Sequence, residues 1–172
     1  QDQQLHIGFR SNNRFAFDFW ADNLDTPLGY TDSNWHHWAC VYDRSIPRRY
    51  IYRDGVLVAS DTPTGDYAGV GPIVLGFSPA TKRYFAGQLD EVRIWSTPRS
   101  EAQIRSNLNG PIAANTAGLV AYWQFDEGQN FIGQNSVVSF GAICMREMPP
   151  MAAVSSRQRF KTGCSRTPFL RM

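Results

Sequence analysis

The sequence is poor in the residues that make a disulfide-rich, metal-stapled or membrane-spanning protein. Its 172 residues include three cysteines, Cys40, Cys144 and Cys164, without a C-x-x-C pair, which gives no support for a disulfide framework or a zinc site. We expect Cys40 to pack as a small apolar residue. No run of 18 apolar residues occurs, so we expect no membrane insertion. The net charge of +2 is too small to indicate a nucleic-acid partner.

The start of the chain shows no sign of a secretory signal. It opens QDQQLHIG, with neither an initiator Met nor a basic start followed by an apolar stretch. We therefore interpret the chain as a piece of a longer protein, in which neighbouring domains are among its partners.

The composition is that of a globular domain followed by a different kind of segment. Hydrophobic residues make up 42% and charged residues 19%, which excludes a mainly disordered chain. Residues 1–140 hold 11 basic and 14 acidic side chains, a net of −3, whereas residues 141–172 hold six basic and one acidic, a net of +5. We interpret residues 136–172 as an atypical, poorly ordered basic tail. A basic tail that docks on an anionic surface is the alternative.

Short apolar runs separated by turn residues predict an all-β protein. Phe15, Phe17 and Phe19 alternate with other side chains and should share one face of a strand. Asp54-Gly55 lies between two β-rich runs and predicts a tight hairpin turn. The pattern favours an antiparallel two-sheet jelly-roll sandwich. The predicted strands before residue 96 are LHIGFR, RFAFDFW, WHHWACVYD, RRYIYRD, VLVAS, IVLGF and FAGQLDEVRIW.

One short helix interrupts the strands. Ser100 followed by Gln103 predicts a capping box, and Asn109-Gly110-Pro111 predicts the end of the helix. Residues 111–118 are rich in small side chains and are interpreted as a linker. Residues 119–128, LVAYWQFDEG, predict a further strand.

Three runs in this order resemble the laminin G-like jelly rolls of the concanavalin A-like lectin/glucanase superfamily. They are WHHWACVYD at 35–43, YIYRDGVLV at 50–58 and FAGQLDEVRIW at 85–95, followed by the Ser100 helix. The family's opening strands are missing before Gln1, while YWQFDEG at 122–128 resembles such an opening. The resemblance implies a jelly roll over residues 1–110 and a segment over 119–135 that completes its sheet or begins a next repeat.

The resemblance also implies a function and a location. It indicates a non-catalytic module of an extracellular or cell-surface protein that binds a glycan or a cell-surface protein, with calcium as a candidate cofactor and Asp90 as its candidate ligand. A carboxylate satisfied by Arg93 or by a backbone amide is the alternative for Asp90. Two other functions stay open: a structural or protein–protein adhesion module in a tandem array, and an accessory domain of a glycoside hydrolase or sialidase.

An acidic stretch, FDFWADNLDTPLGYTD, supplies further candidate ligands. Four carboxylates and an amide within 15 residues could bind calcium or sugar hydroxyls, although the spacing lacks the EF-hand pattern. The alternative is a turn rich in residues that close turns. The candidates are Asp18, Asp22, Asn23, Asp25 and Asp32.

Aromatic side chains near strand ends are candidates for stacking on sugar rings. Trp20, Tyr30 and Tyr84 occupy such positions, and an aromatic ring combines an apolar face with, in Tyr and Trp, a polar group. The tryptophans within the family motifs are assigned to the core: Trp35, Trp95 and Trp123.

Metal binding by histidine and catalysis have little support in the residues. His36 and His37 are neighbours on a predicted strand and should point to opposite faces, which favours packing over a shared metal. The sequence has four glutamates and lacks the paired-carboxylate run E-x-D-x-x-E of the glucanase branch. It also lacks the G-x-S-x-G, H-E-x-x-H and P-loop motifs. We therefore expect no enzymatic activity.

Overall fold

The architecture was analysed in a computed structural model of the chain. The structure describes residues 5–19, 21–67, 69, 73–78, 82–126, 153–160 and 169–171. Within 153–171, side chains are described only for Ser155 and Ser156.

The described strands form two large antiparallel sheets and one small hairpin. The four-stranded sheet has the order β12-β1-β2-β3, and the six-stranded sheet has the order β10-β9-β11-β4-β5-β6. This confirms the predicted antiparallel sandwich. The strands are β1 Leu5–Phe9, β2 Arg14–Phe19, β3 Asp22–Gly29, β4 His36–Asp43, β5 Arg48–Arg53, β6 Val56–Asp61, β7 Phe77–Ser78, β8 Arg83–Tyr84, β9 Gly87–Trp95, β10 Leu119–Trp123, β11 Ala153–Phe160 and β12 Phe169–Arg171.

The main core lies between the two large sheets. As predicted, the phenylalanines of β2 share one face, and each is 3% exposed or less. Phe15 stacks on Trp38 of β4, with ring centroids 4.0 Å apart, and so joins the two sheets. Cys40 is 2% exposed within the same core, which confirms its apolar role. Burial of these large rings is the main source of stability for a sandwich of this size.

The acidic stretch after β2 is a strand rather than a turn. β3 pairs with β2, with Asp22 opposite Phe19 and Asp25 opposite Ala16. Leu24 and Thr26 are buried, so alternate side chains of this strand point into the protein, although polar residues occupy the positions between and beside them. The strand lies at the edge of its sheet, where a proline such as Pro27 costs no ladder hydrogen bond.

Two local predictions are confirmed at the β5–β6 hairpin and the helix. Asp54 and Gly55 have positive φ angles, 51° and 75°, as a tight primed turn requires. The helix α1 spans Glu101–Ser106, and Ser100 and Gln103 form the capping box. In the part of the chain that the structure describes, no helix has the length and apolarity needed to cross a membrane.

A second core fixes the region around α1 to the outer face of the six-stranded sheet. Arg93, 1% exposed, donates to the carbonyl oxygens of Asn107 at 2.7 Å and Gly110 at 2.6 Å. Glu91 accepts from Arg93 and, at 2.6 Å, from the Tyr122 hydroxyl. The terminal nitrogens of Arg93, the Glu91 carboxylate and the Tyr122 hydroxyl therefore have partners, whereas Arg93 Nε is buried without one. The D-E-V-R-I-W motif thus holds together β9, β10 and the segment after α1.

Two short parts of the predicted tail are strands. β11 lies between β4 and β9 and pairs antiparallel with both, while β12 pairs with β1. The expectation of a poorly ordered tail therefore does not hold for these residues; the rest of 136–172 lies outside the described residues. Cys144 and Cys164 also lie outside them. β11 satisfies the ladder hydrogen bonds of two flanking strands, so its partners rather than its composition determine its conformation.

The remaining predicted strands are found with smaller changes. β10 lies at the edge of the six-stranded sheet, beside β9, with Leu119 opposite Trp95. The predicted run IVLGF contributes only its last residue, Phe77, to a strand, and β7 pairs with β8 alone.

Candidate ligand-binding site

Asp18 and Asp25 lie together on the outer face of the four-stranded sheet, opposite to the phenylalanine face of β2. Arg10 joins them, with its Nη2 2.8 Å from Asp18 Oδ2 and its Nε 2.8 Å from Asp25 Oδ1. His6 Nδ1 lies 3.1 Å from the same Asp18 oxygen. Asp18 is 5% exposed. Arg10 forms an ion pair with each of these carboxylates and so compensates part of the charge that a ligand would need.

Asp22 ties the two sheets together. Its Oδ1 lies 2.6 Å from Nη2 of Arg49, which is 0% exposed and also binds Asp61. Its Oδ2 accepts from the amide nitrogen of Thr64 at 2.6 Å and from the Thr64 hydroxyl at 2.9 Å. Burial raises the pKa of Asp22, but the Thr64 hydrogen bonds and the Arg49 charge outweigh it and leave the pKa below its usual value. Asn23, beside it, is exposed.

A cluster of polar side chains lies where β4 begins and β5 ends. We call Tyr30, Asp32, His36, Arg53 and Asp54 the rim cluster. The His36 ring contacts a carboxylate at each nitrogen, Asp54 Oδ2 at 2.7 Å from Nδ1 and Asp32 Oδ1 at 2.6 Å from Nε2. Nη2 of Arg53 lies 2.8 Å from Asp32 Oδ2. Thus the hairpin turn, β5 and the loop before β4 each contribute charged groups to one place.

The rim cluster is accessible to solvent. The carboxylate side chains of Asp32 and Asp54 are 39% and 48% exposed, and that of Arg53 is 22% exposed. Burial raises the pKa of Asp32. Hydrogen bonds from His36 and the Asn34 amide, together with the nearby positive charges, lower the pKa by more than burial raises it, so the net shift is downward. Asp32 is therefore ionised, partly exposed and held in a defined position.

Aromatic rings lie against this cluster. The Arg53 guanidinium lies over the Tyr30 ring, 4.5 Å from its centroid, and Tyr30 packs edge-on against Trp38 at 5.0 Å. Burial raises the pKa of the Tyr30 hydroxyl, although the Arg53 charge opposes this. Trp35, next to His36 in the chain, is 36% exposed. Accessible carboxylates and a guanidinium can contact the hydroxyl groups of a ligand, and an exposed indole can contact its apolar faces.

The assignment of Trp35 to the core was wrong, whereas the other two motif tryptophans are in or against the cores. Trp95 is 2% exposed and Trp123 packs against the main core. Trp35 precedes the first residue of β4, so the alternation of the strand does not carry it inward. His36 and His37 point apart as predicted, because His37 is 6% exposed and His36 turns to the rim cluster.

The remaining predicted ligands are scattered. Tyr84 is 76% exposed on β8 and packs against Phe77, with centroids 4.8 Å apart. Asp90 is partly buried on β9, in register with Arg157 of β11. Trp20 lies outside the described residues. Among the residues that the structure describes, no group of three His, Cys, Asp or Glu side chains could hold a metal ion. A calcium ligand role for Asp90 stays a prediction.

Sequence reasoning identified Tyr30 and Asp32 of the rim cluster and missed the rest. From the sequence, Asp54 was assigned only to the hairpin turn and Arg53 only to a strand, so neither was considered as a ligand contact. A signal was present nevertheless: aromatic and charged residues at three strand ends, which the pairing of β4 with β5 brings together.

Comparison with known proteins agrees with the fold. Residues 1–105 match a laminin G family of the concanavalin A-like lectin/glucanases superfamily. The chain is also similar to the crystal structure of a proposed carbohydrate-binding protein from Bacteroides ovatus ATCC 8483, with a TM-score of 0.55 and 18% identity. That similarity covers 96% of this chain and 50% of the other, so the chain spans half of that protein. No curated protein sequence matches significantly.

Proposed function

The chain belongs to this laminin G family of the concanavalin A-like lectin/glucanases superfamily, and we propose that it is a non-catalytic carbohydrate-binding module whose ligand contacts the rim cluster. The observation that carries the proposal is a pair of partly exposed carboxylates and a guanidinium fixed in one place, with the 36% exposed Trp35 next to His36 in the chain. The description of the Bacteroides ovatus protein supports the ligand class.

The chemistry of the cluster suits a sugar. The Trp35 ring can pack on the C–H face of a pyranose, and Asp32 and Asp54 can accept hydrogen bonds from its hydroxyl groups. Arg53 can donate to ring or hydroxyl oxygens. Because these polar side chains are already fixed by their mutual hydrogen bonds, little conformational entropy is lost when a ligand binds.

The electrostatics of the cluster support binding rather than hydrolysis. A glycosidase needs one carboxyl group that is protonated near neutral pH, which requires a raised pKa. The pKa of Asp32 is instead shifted downward, and cationic or imidazole groups contact both carboxylates of the cluster. An extracellular location accords with this function and stays a prediction.

The test is a glycan array probed with the full chain, followed by titration of the best ligand with variants. We expect selective binding, weakened at least about tenfold by Trp35→Ala. Ile46→Ala is the matched control, because Ile46 is 58% exposed at the opposite end of the β4–β5 pair. Tyr84→Ala tests the other accessible aromatic ring.

Each result decides part of the proposal. Absence of binding by a chain that unfolds cooperatively would overturn it and favour a spacer or protein-adhesion module. Loss of glycan binding in Tyr84→Ala, together with unchanged binding in Trp35→Ala, would show that the ligand binds at β8 instead. Repeating the glycan array and the titration once with calcium and once with a chelator tests the calcium prediction separately, since chelation should abolish binding only if a bound ion takes part.

A further inference from the structure

The segment between α1 and β10 contains an asparagine followed directly by a glycine, Asn109-Gly110. Asn109 is exposed, and both residues lie outside helix and strand. In such a pair the backbone nitrogen of the glycine can attack the side-chain amide carbon of the asparagine, since the two groups are held close together by the chain itself. Glycine favours this attack because it has no Cβ to shield its nitrogen.

Neither of the two reacting groups is engaged in the folded protein. In the part of the chain that the structure describes, no group accepts a hydrogen bond from the Gly110 amide, and none binds the Asn109 side chain. Gly110 has a φ of 100°, and a Cβ added there would lie more than 4 Å from every described atom beyond its chain neighbours. The side chain of Asn109 can therefore turn toward the Gly110 nitrogen without breaking a contact.

Asn115 shows how the same segment protects another exposed asparagine. Its next residue is Thr116, whose β-branched side chain crowds the backbone nitrogen. The Thr116 amide also donates to the Ala113 carbonyl oxygen at 3.0 Å, so it is held away from the side chain of Asn115. Exposure alone therefore does not distinguish the two asparagines, whereas the state of the following amide does.

The hairpin turn Asp54-Gly55 is a second acidic or amide residue before a glycine, and it is protected as well. The Asp54 carboxylate accepts from the His37 amide at 2.9 Å and contacts His36 at 2.7 Å. A Cβ added at Gly55 would lie 2.6 Å from Cγ of Arg105, so the space beside this glycine is filled. Ring closure at Asp54 would have to break these contacts.

A change of the backbone at Asn109 would reach the second core. Arg93, 1% exposed, donates to the carbonyl oxygens of Asn107 at 2.7 Å and Gly110 at 2.6 Å. Asn109 lies between these two acceptors in the chain. An isoaspartate at this position carries the main chain through its side-chain carbon and so adds one methylene group between the two carbonyls. Because Arg93 is fixed by burial, the lengthened segment cannot present both oxygens to it as before.

We propose that Asn109 is a site of spontaneous deamidation, and that its isoaspartate product releases the segment after α1 from Arg93. The Gly110 nitrogen forms a bond to Cγ of Asn109, the bond from Cγ to Nδ2 breaks, and the proton of the Gly110 nitrogen leaves with Nδ2 as ammonia. Water then opens the resulting succinimide. Hydrolysis between the Gly110 nitrogen and Cγ gives aspartate in the original main chain, and hydrolysis at the backbone carbonyl carbon gives isoaspartate. No oxidant or reductant takes part.

The test of the modification incubates the full chain at mildly alkaline pH and follows each asparagine by peptide mapping with mass spectrometry. A synthetic peptide of residues 105–113, incubated alongside, gives the rate of the unprotected pair. We expect the fragment with Asn109 to gain the mass difference between water and ammonia at a rate within about tenfold of the peptide. Conversion of Asn115 should be at least about tenfold slower than that of Asn109. Asn109→Gln should remain unmodified, because its longer side chain closes a less favourable ring.

The test of the consequence separates the aspartate and isoaspartate forms by ion exchange and compares their thermal unfolding. The isoaspartate form should have a Tm roughly 3–6 °C below that of the unreacted chain, as expected for the loss of a hydrogen bond to a charged group. Asn109→Asp is the matched control, since it adds the same charge without lengthening the main chain, and its Tm should stay close to that of the wild type.

Two outcomes would overturn the proposal. A rate in the full chain more than about a hundredfold below that of the peptide, or equal conversion at Asn115, would show that the fold protects Asn109 or does not select it. An isoaspartate form with the same Tm as Asn109→Asp would show that the Arg93 contacts survive the longer main chain.

Discussion

Two arginines on β5 have nearly the same surroundings and different roles. Arg49 and Arg53 flank Ile51 at two-residue spacing, so all three share the core-facing side of the strand. The Arg49 guanidinium lies 4.8 Å from the Phe19 centroid, and that of Arg53 lies 4.5 Å from the Tyr30 centroid. Their side chains are 0% and 22% exposed, respectively. Burial, rather than the partner types, distinguishes the two arginines, and of the two only Arg53 is accessible to a ligand.

The buried arginine is completely engaged. Arg49 donates to Asp61 through Nε at 2.9 Å and Nη2 at 2.6 Å, and to the carbonyl oxygens of Phe17 and Asp22 through Nη1. It thus connects β5 and β6 of one sheet with β2 and β3 of the other. Because every partner is inside the protein, Arg49 has no capacity left for a ligand.

The largest expected effect comes from removing this charge. Arg49→Met keeps the length of the side chain but leaves Asp22 and Asp61 without their common cation, two carboxylates that belong to different sheets. We expect a loss of about 3–5 kcal/mol in the free energy of unfolding. Urea denaturation followed by tryptophan fluorescence measures it. A loss below about 1 kcal/mol would show that the tie between the sheets is dispensable.

The second largest expected effect comes from a substitution in the hairpin turn after Arg53. Gly55 has a φ of 75°, and an added Cβ would lie 2.6 Å from Cγ of Arg105 and 3.3 Å from Leu108. Gly55→Ala should therefore destabilise the protein by about 1–2 kcal/mol and also weaken ligand binding, because the turn positions Asp54. Gly110→Ala is the control for backbone strain alone, since its φ is 100° but nothing lies within 4 Å of the added Cβ. Unchanged ligand affinity in Gly55→Ala would show that the conformation of this turn does not matter for ligand binding.

In contrast to Arg49, substitution of Arg53 should affect ligand binding more than stability. Its ion pairs are partly exposed, so Arg53→Gln should cost no more than about 1 kcal/mol of stability. Glycan affinity should nevertheless fall at least about tenfold, because a donor of the rim cluster is lost. Urea denaturation and ligand titration of one preparation give both values, with Arg48→Gln as the control. A stability loss as large as that of Arg49→Met would remove the distinction between the two arginines.

Much of the fold could be predicted because its signals are local. The Asp54-Gly55 turn, the Ser100 capping box and the alternating phenylalanines of β2 each depend on residues close in sequence. β3 was missed because Asp and Asn occupy positions that also suit a turn, and only pairing with β2 shows that Leu24 and Thr26 are buried.

The roles of the two arginines could not be predicted in the same way. The run RRYIYRD places Arg49 and Arg53 on one face, but it does not show which end of the strand is covered. The partners that decide this are distant in sequence: Asp22 is 27 residues from Arg49, and Asp32 is 21 residues from Arg53. The strand β11 was missed for a related reason, because its conformation depends on the unpaired edges of β4 and β9 rather than on its own composition.

The smallest expected effect concerns acid stability and compares the aspartates of the two arginines. The folded state holds the pKa of both Asp22 and Asp32 below 3.8, so each contributes stability above about pH 4 that is lost as the pH falls through its lowered pKa. Asp32 is 39% exposed and its contribution is screened by water, whereas Asp22 is 16% exposed. Between pH 6 and pH 3, the urea midpoint should therefore fall less in Asp22→Asn than in the wild-type chain, while Asp32→Asn should follow the wild type closely. The slope against pH is the quantity to compare, because Asp22→Asn also lowers stability at every pH by weakening the pairing of Arg49. Equal slopes in the two variants would mean that exposure does not distinguish the two aspartates, and that both arginines belong to the fold.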